Sequence, residues 1–247
     1  MNRTSLRWLS TLLLLCGFIG PATWAAGLQI SPVSITIDSD RRADELWLRN
    51  TSDETIHAQV RVYHWSQADG QDVLKPDNAL VASPPIVQIA AGQRQLVRIV
   101  RTGALAEPAP QERSYRMLVD ELPIAHTQSS KASLNFVFRY SIPVFILGTA
   151  EQKPQLDWQV LESGGQSWLS VRNSGTRHSQ LADVAFAPPG GQPKVLLPGL
   201  AGYVLAGMQR QFQLPLPPQA FRQGGTFTSL ANGSAINAQA APINRQP

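Results

Sequence analysis

The sequence predicts an all-β protein built as two β-sandwiches in tandem. Apolar residues recur with a period of two in short runs, which puts one side of each run in a core and the other outside. Clusters of turn-forming residues separate the runs at the roughly 8–12-residue spacing of a sandwich. Gly 18 and Pro 19 punctuate the chain densely, and no amphipathic stretch long enough for a three-turn helix interrupts the pattern.

The first strand signal is Leu28, Ile30, Val33, Ile35 and Ile37, with its phase broken at Pro32. Leu46 and Leu48 mark a second strand, and Val60, Val62, Tyr63 and Trp65 a third. Asn50-Thr51-Ser52-Asp53, Asp69-Gly70 and Pro76-Asp77-Asn78 supply turn chemistry between these and the following segments. Ile86-Val87-Gln88-Ile89 leads through Ala91-Gly92 into Gln95–Val100; Tyr115–Leu122 follows, then a long run from Leu134 to Leu147 interrupted at Pro143. The pattern resets around Gly148-Thr149-Ala150, and Glu151-Gln152-Lys153-Pro154 reads as a linker. Shorter runs follow at Leu156–Val160, Trp168–Val171, Ala182–Phe186, Phe212–Leu216 and Thr226–Leu230, with Asn232-Gly233 as a strong two-residue hairpin signal. The expected organisation is a leader over 1–25, a first domain over 26–148 and a second over 149–247.

Composition narrows the class. The chain has 247 residues, 43% hydrophobic and 15% charged, with one cysteine. The hydrophobic fraction is too ordinary for a disordered chain, and a single cysteine cannot form a disulfide within it. Arg3 and Arg7, the apolar run Leu12–Ile19 and the small residues around Ala25 have the layout of a cleavable export signal. That apolar run is shorter than the roughly 20 residues a bilayer-spanning helix needs, so no membrane insertion is expected. Removing residues 1–25 also takes away two arginines and lowers the formal net charge from +4 to +2. The remaining basic residues are scattered, so the basicity does not support nucleic-acid binding.

Sites of chemistry are not nominated. His57, His64, His126 and His178 lack zinc-site spacing, and Asp120 and Glu121 are adjacent on a strand and would face opposite ways. No nucleophile elbow, P-loop or dinucleotide fingerprint occurs. Asn50-Thr51-Ser52 fits a glycosylation acceptor only formally. No enzyme, metal or cofactor is expected. Arg116 and Arg139 are conspicuous, because each stands among large apolar residues on a strand, an environment suited to a recessed cation that takes a carboxylate.

Ser83-Pro84-Pro85, Gln95-Leu96-Val97-Arg98-Ile99, Tyr115-Arg116-Met117-Leu118 with Glu121-Leu122-Pro123, and Arg139-Tyr140-Ser141-Ile142-Pro143-Val144-Phe145 occur in an order and spacing that resemble the periplasmic chaperones of the chaperone–usher pilus pathway. The likeness is most like the archaic branch that serves spore-coat-U-type subunits. It is specific over about residues 28–148 and weaker to about 240. The resemblance implies two immunoglobulin-like domains in a boomerang with a cleft between them. It also implies a function: binding and stabilising pilin subunits that lack their last strand, by lending the strand around residues 132–142, and delivery to an outer-membrane usher. Neither nucleotide nor cofactor is implied.

By period, Leu134, Phe136 and Phe138 share one face of that strand; the resemblance makes them the donor residues. The conventional branch anchors the subunit carboxylate with two basic residues, but the matching positions here are Ser34 and Ser141. The expected anchors are therefore Arg116 and Arg139, with Arg101 in reserve. Arg98 and Glu121 match a family pair that fixes the inter-domain angle. An exposed hydrophobic edge is an aggregation liability, so a self-capping homodimer is expected of the free chaperone. The competing classes are a structural pilin or adhesin, and a secreted glycan-binding sandwich module.

Overall fold

The computed structural model describes residues 27–103, 109–123 and 137–245. The export-signal reading, His126, and donor positions Leu134 and Phe136 lie outside the described residues. In the first part of the chain run β1 (Leu28–Ser31), β2 (Ile35–Ile37), β3 (Ala43–Asn50), β4 (Ile56–Ala68), β5 (Gln71–Pro76), β6 (Leu80–Ser83), β7 (Ile86–Ile89), β8 (Arg94–Arg101), β9 (Arg113–Leu122) and β10 (Arg139–Ile146). Sheet A has the order β1-β3-β8-β6, and sheet B the order β2-β10-β9-β4-β5, with β7 also on β4. Their facing sides close over one core, in which Ile37, Leu46, Leu48, Val97, Ile99, Met117 and Val144 are all buried. Alternation explains each contribution: on β8, Val97 and Ile99 point inward while Arg98 points out.

The second part contains β11 (Leu156–Ser163), β12 (Gln166–Asn173), β13 (Ser179–Ala187), β14 (Lys194–Val204), β15 (Gln209–Leu214), β16 (Gly225–Ala231), β17 (Ser234–Ala240) and β18 (Asn244–Arg245). Sheets β15-β12-β11-β18 and β14-β13-β16-β17 enclose a separate core around Leu169, Val171, Phe186, Phe221 and Phe227. The anticipated turns are realised. Asp69-Gly70 and Asn232-Gly233 both have positive φ at each residue, the geometry of the tight hairpins that join β4 to β5 and β16 to β17.

The opening strand expected over Leu28–Ile37 is split between the two sheets as β1 and β2; β5, β6 and β17 fall where no strand is expected; and two further elements differ for a plain physical reason. Pro143 does not interrupt its strand. Glu121 N–H donates to the Phe138 carbonyl, so by antiparallel alternation the even residues of β10 carry the ladder to β9, and Pro143 turns its missing N–H away from it. β14 reads as loop in sequence because Pro198, Gly199 and Gly202 fall inside it; it is an edge strand whose pairing with β13 accommodates several register shifts.

Each sandwich contains the same latch. Asn50, the last residue of β3, is fully buried; its Nδ2 donates to the carbonyls of Glu54 and Ile89, and its Oδ1 accepts from Ser52 N–H. Asn173, the last residue of β12, is equally buried and repeats the arrangement with the carbonyls of Arg177 and Val204 and the N–H of Gly175. A buried amide with all its partners satisfied ties a strand end to the turn after it and to the opposite layer. The formal glycosylation motif at Asn50 is thus a structural amide inside the protein.

Candidate functional site

The open side of the first sandwich runs along β10. β2 pairs with β10 in parallel only at Val144, Phe145 and Ile146, whereas β9 pairs with it from Arg139 onward. Residues 139–143 therefore have one edge without a neighbouring strand among the described residues. By the alternation above, Arg139 and Ser141 turn their backbone N–H and C=O groups to that edge. The inward side of β10 (Tyr140, Ile142, Val144) continues outward to Phe138, which is 52% exposed. Its ring packs 6.4 Å from that of Tyr140. An open groove of about 1110 Å³ lies between this edge and β1, lined by Leu28, Ile30, Val33, Trp47, Tyr140 and Ile142. Arg94 caps one wall with its guanidinium 4.5 Å from the Trp47 ring centroid.

The outer face of sheet B carries the charge. Arg61 and Arg139 both pair with Asp120, Arg61 Nη2 lying 2.6 Å from Oδ2 and Arg139 Nε on Oδ1. Burial raises the Asp120 pKa, but the hydrogen bonds from Arg139 and Arg61 outweigh it and hold the carboxyl below its ordinary range. Four residues along β9, Arg116 has no carboxylate within ion-pair distance among the described residues. Its guanidinium carbon instead sits 3.7 Å from the Trp65 ring centroid and 5.2 Å from that of Tyr203. Burial lowers its basicity, with the Tyr203 hydroxyl and Asp72 acting in the opposite sense.

Tyr203 belongs to β14, so Arg116 stands where the two sandwiches meet. Trp65, Phe145 and Leu205 form a small third core there, with Tyr203 and Met208 packed against it. The His178 ring stacks on Phe145 at 3.6 Å and 9°. Its Nδ1 donates to both oxygens of Glu112 at 2.8 and 2.9 Å, and its backbone N–H donates to Oε1. The Glu112 side chain is 0% exposed. Gly148 crosses the same region so closely that a Cβ would meet the Pro110 carbonyl oxygen at 2.1 Å; any larger residue would drive the connection apart.

The nominated residues fall as follows. Arg116 and Arg139 share one face of sheet B, but Arg139 is engaged by Asp120. Arg101 lies on sheet A and donates to the carbonyls of Ser39 and Arg41, holding a turn. Arg98 and Glu121 stand on opposite sheets and are not joined by an ion pair among the described residues. Arg98 faces outward in a groove with Asp44 and Glu45, and Glu121 accepts a hydrogen bond from the Tyr140 hydroxyl at 3.4 Å. Two polar side-chain pairs that the sequence reading missed cross the junction: Glu112 with His178, and Arg210 Nη2 with Asp72 Oδ2 at 3.6 Å. Neither Glu112 nor His178 sits in a motif, and they lie 66 positions apart.

Comparison with known proteins agrees with this architecture. Residues 27–149 match the family of pili and flagellar-assembly chaperones, PapD N-terminal domain. The chain is 24% identical over 180 residues to the fimbrial chaperone YcbF of Escherichia coli K12, covering 68% of this chain and 75% of that protein. It is also similar to the crystal structure of the CsuC–CsuE chaperone–tip subunit pre-assembly complex from the archaic Csu pili of Acinetobacter baumannii, with 26% identity and a TM-score of 0.69 over 90% of this chain and 100% of that one. A complex of the Salmonella enterica SafA pilin with the SafB chaperone shares the fold, at 19% identity and a TM-score of 0.59 over 90% of this chain and 97% of that one. Two sandwiches with an open β10 edge, taken with these matches, identify the chain as a member of the pilus-assembly chaperones of the chaperone–usher pathway.

Proposed function

We propose that this chain acts in the periplasm as an archaic-branch chaperone: it lends the strand around residues 132–142 to pilin subunits with an incomplete immunoglobulin-like fold and passes them to an outer-membrane usher. The observation that carries this reading is the β10 edge at 139–143, which has no partner strand among the described residues, lies beside an apolar groove and ends in the exposed Phe138. An incoming strand would gain ladder hydrogen bonds from that edge. The subunit's groove would gain the apolar side chains of Leu134, Phe136 and Phe138, at about 25 cal/mol per Å² buried. In this reading residues 26–148 form the lending domain and 149–247 the second. Arg116 takes the subunit's terminal carboxylate, since Asp120 already occupies Arg139. The free chaperone covers its open edge with a second copy.

Co-expression with a candidate subunit tests the reading. Replacing both Phe136 and Phe138 by serine leaves the chaperone folded and abolishes recovery of soluble subunit. A double variant that still co-purifies with subunit at the wild-type yield excludes donor-strand lending by this segment.

A further inference from the structure

Arg116 is gripped by one ring from each sandwich. The guanidinium carbon lies 3.7 Å from the Trp65 ring centroid and 5.2 Å from that of Tyr203, two rings that meet nearly edge-on at 75°, so Arg116 sits in the corner between them with no carboxylate within ion-pair distance among the described residues. The Tyr203 ring is itself fixed. Its hydroxyl accepts from Gln180 Nε2 at 3.2 Å, and the ring packs 5.4 Å from Trp65 and 5.8 Å from His178. The strand that carries it is held from the other side of the junction. Gln67 Nε2 donates to the Tyr203 carbonyl at 2.8 Å, and Gln67 Oε1 accepts from Leu205 N–H at 3.1 Å. Gln67 and Trp65 both lie on β4 and, by alternation, on the same face, so one strand of the first sandwich supplies one ring and clamps the backbone of the other.

We propose that Trp65 and Tyr203 are positioning residues that turn Arg116 into a composite carboxylate receptor, and that its affinity is set by how the second sandwich is seated on the first. This rests on the reading of Arg116 as the subunit-carboxylate anchor. A planar cation seated in the corner of two fixed rings is already ordered, so little rotamer freedom is lost when the ligand arrives. Because the receptor exists only when Tyr203 is in place, a bound carboxylate must in turn stabilise the junction, by the reciprocity of coupled equilibria.

The probe is sodium acetate, titrated against sodium chloride of matched ionic strength. The readout is the Arg116 Nε–H resonance of arginine-labelled full-length mature protein, assigned with Arg116→Lys. Wild type shifts saturably with acetate and not with chloride. Tyr203→Phe keeps the ring and binds within about twofold, whereas Tyr203→Leu, which keeps apolar volume, weakens acetate binding about fivefold or more. Gln67→Ala, which leaves both rings intact, also weakens it. Thermal melts identify which variants remain folded. If Tyr203→Leu and Gln67→Ala are both folded and bind acetate as wild type does, the composite receptor is wrong while the anchor stands. If the wild-type resonance ignores acetate, the anchor reading fails first and the receptor falls with it.

Discussion

Replacing Glu112 by alanine would open the junction between the two sandwiches from its centre. The carboxylate is fully buried and accepts the His178 backbone N–H at 3.2 Å and Nδ1–H at 2.8 Å. Alanine leaves both donors without acceptors, at about 1–3 kcal/mol each. It also leaves the His178 ring unrestrained on Phe145, where it stacks at 3.6 Å. Two buried donors left without acceptors bring the cost to about 2–6 kcal/mol, a large fraction of the roughly 5–15 kcal/mol that a domain possesses. Glu112→Gln retains one acceptor oxygen and should lose about 1–2 kcal/mol. Urea unfolding followed by tryptophan fluorescence is the assay, since Trp65 is only 2% exposed in the same cluster. Small-angle scattering of the folded variant should show a broader range of inter-sandwich distances. Destabilisation below about 1 kcal/mol for the alanine variant, with unchanged scattering, would refute the view that this pair seats the second sandwich on the first.

Two further outcomes are expected. Asp120 has a depressed folded-state pKa, so its contribution to stability is present above the ordinary carboxylate value of 3.8 and is lost as pH falls below that value. The difference in melting temperature between wild type and Asp120→Asn should therefore be steady near neutral pH and shrink toward about pH 3, whereas a pH-independent difference would show that the carboxylate charge is not what holds Arg61 and Arg139. Asn50→Ala and Asn173→Ala should each cost about 1–3 kcal/mol in calorimetric unfolding, because each leaves one buried and one part-buried carbonyl and at least one N–H without its partner; a loss at one position alone would contradict their equivalence.

Much of the fold was legible because period-two alternation and tight-turn chemistry are local. Asp69-Gly70 and Asn232-Gly233 announce their hairpins within two residues. β14 was illegible for the complementary reason: Pro198, Gly199 and Gly202 signal loop locally, and only pairing with β13 makes that stretch a strand. Site residues divide the same way. Arg116 stood out by its apolar neighbours on one strand, but its ring partners come from β4 and β14, which nothing in the linear pattern brings together. The choice of Arg98 and Glu121 followed motif position, while register puts them on different sheets. One overlooked signal was available. Arg49-Asn50-Thr51-Ser52 and Arg172-Asn173-Ser174-Gly175 are similar words at the ends of strands, and they mark the latch that both sandwiches share.

The parallel pairing of Ile35 with Val144 has a consequence in time. The first sandwich joins its second strand to its last, so the ladder that closes one side cannot form until the chain through Ile146 is available. Contacts so distant in sequence make folding slow compared with local structure formation. During synthesis the leading segment therefore emerges without its closing strand, and the first sandwich can complete itself only once both ends are present together.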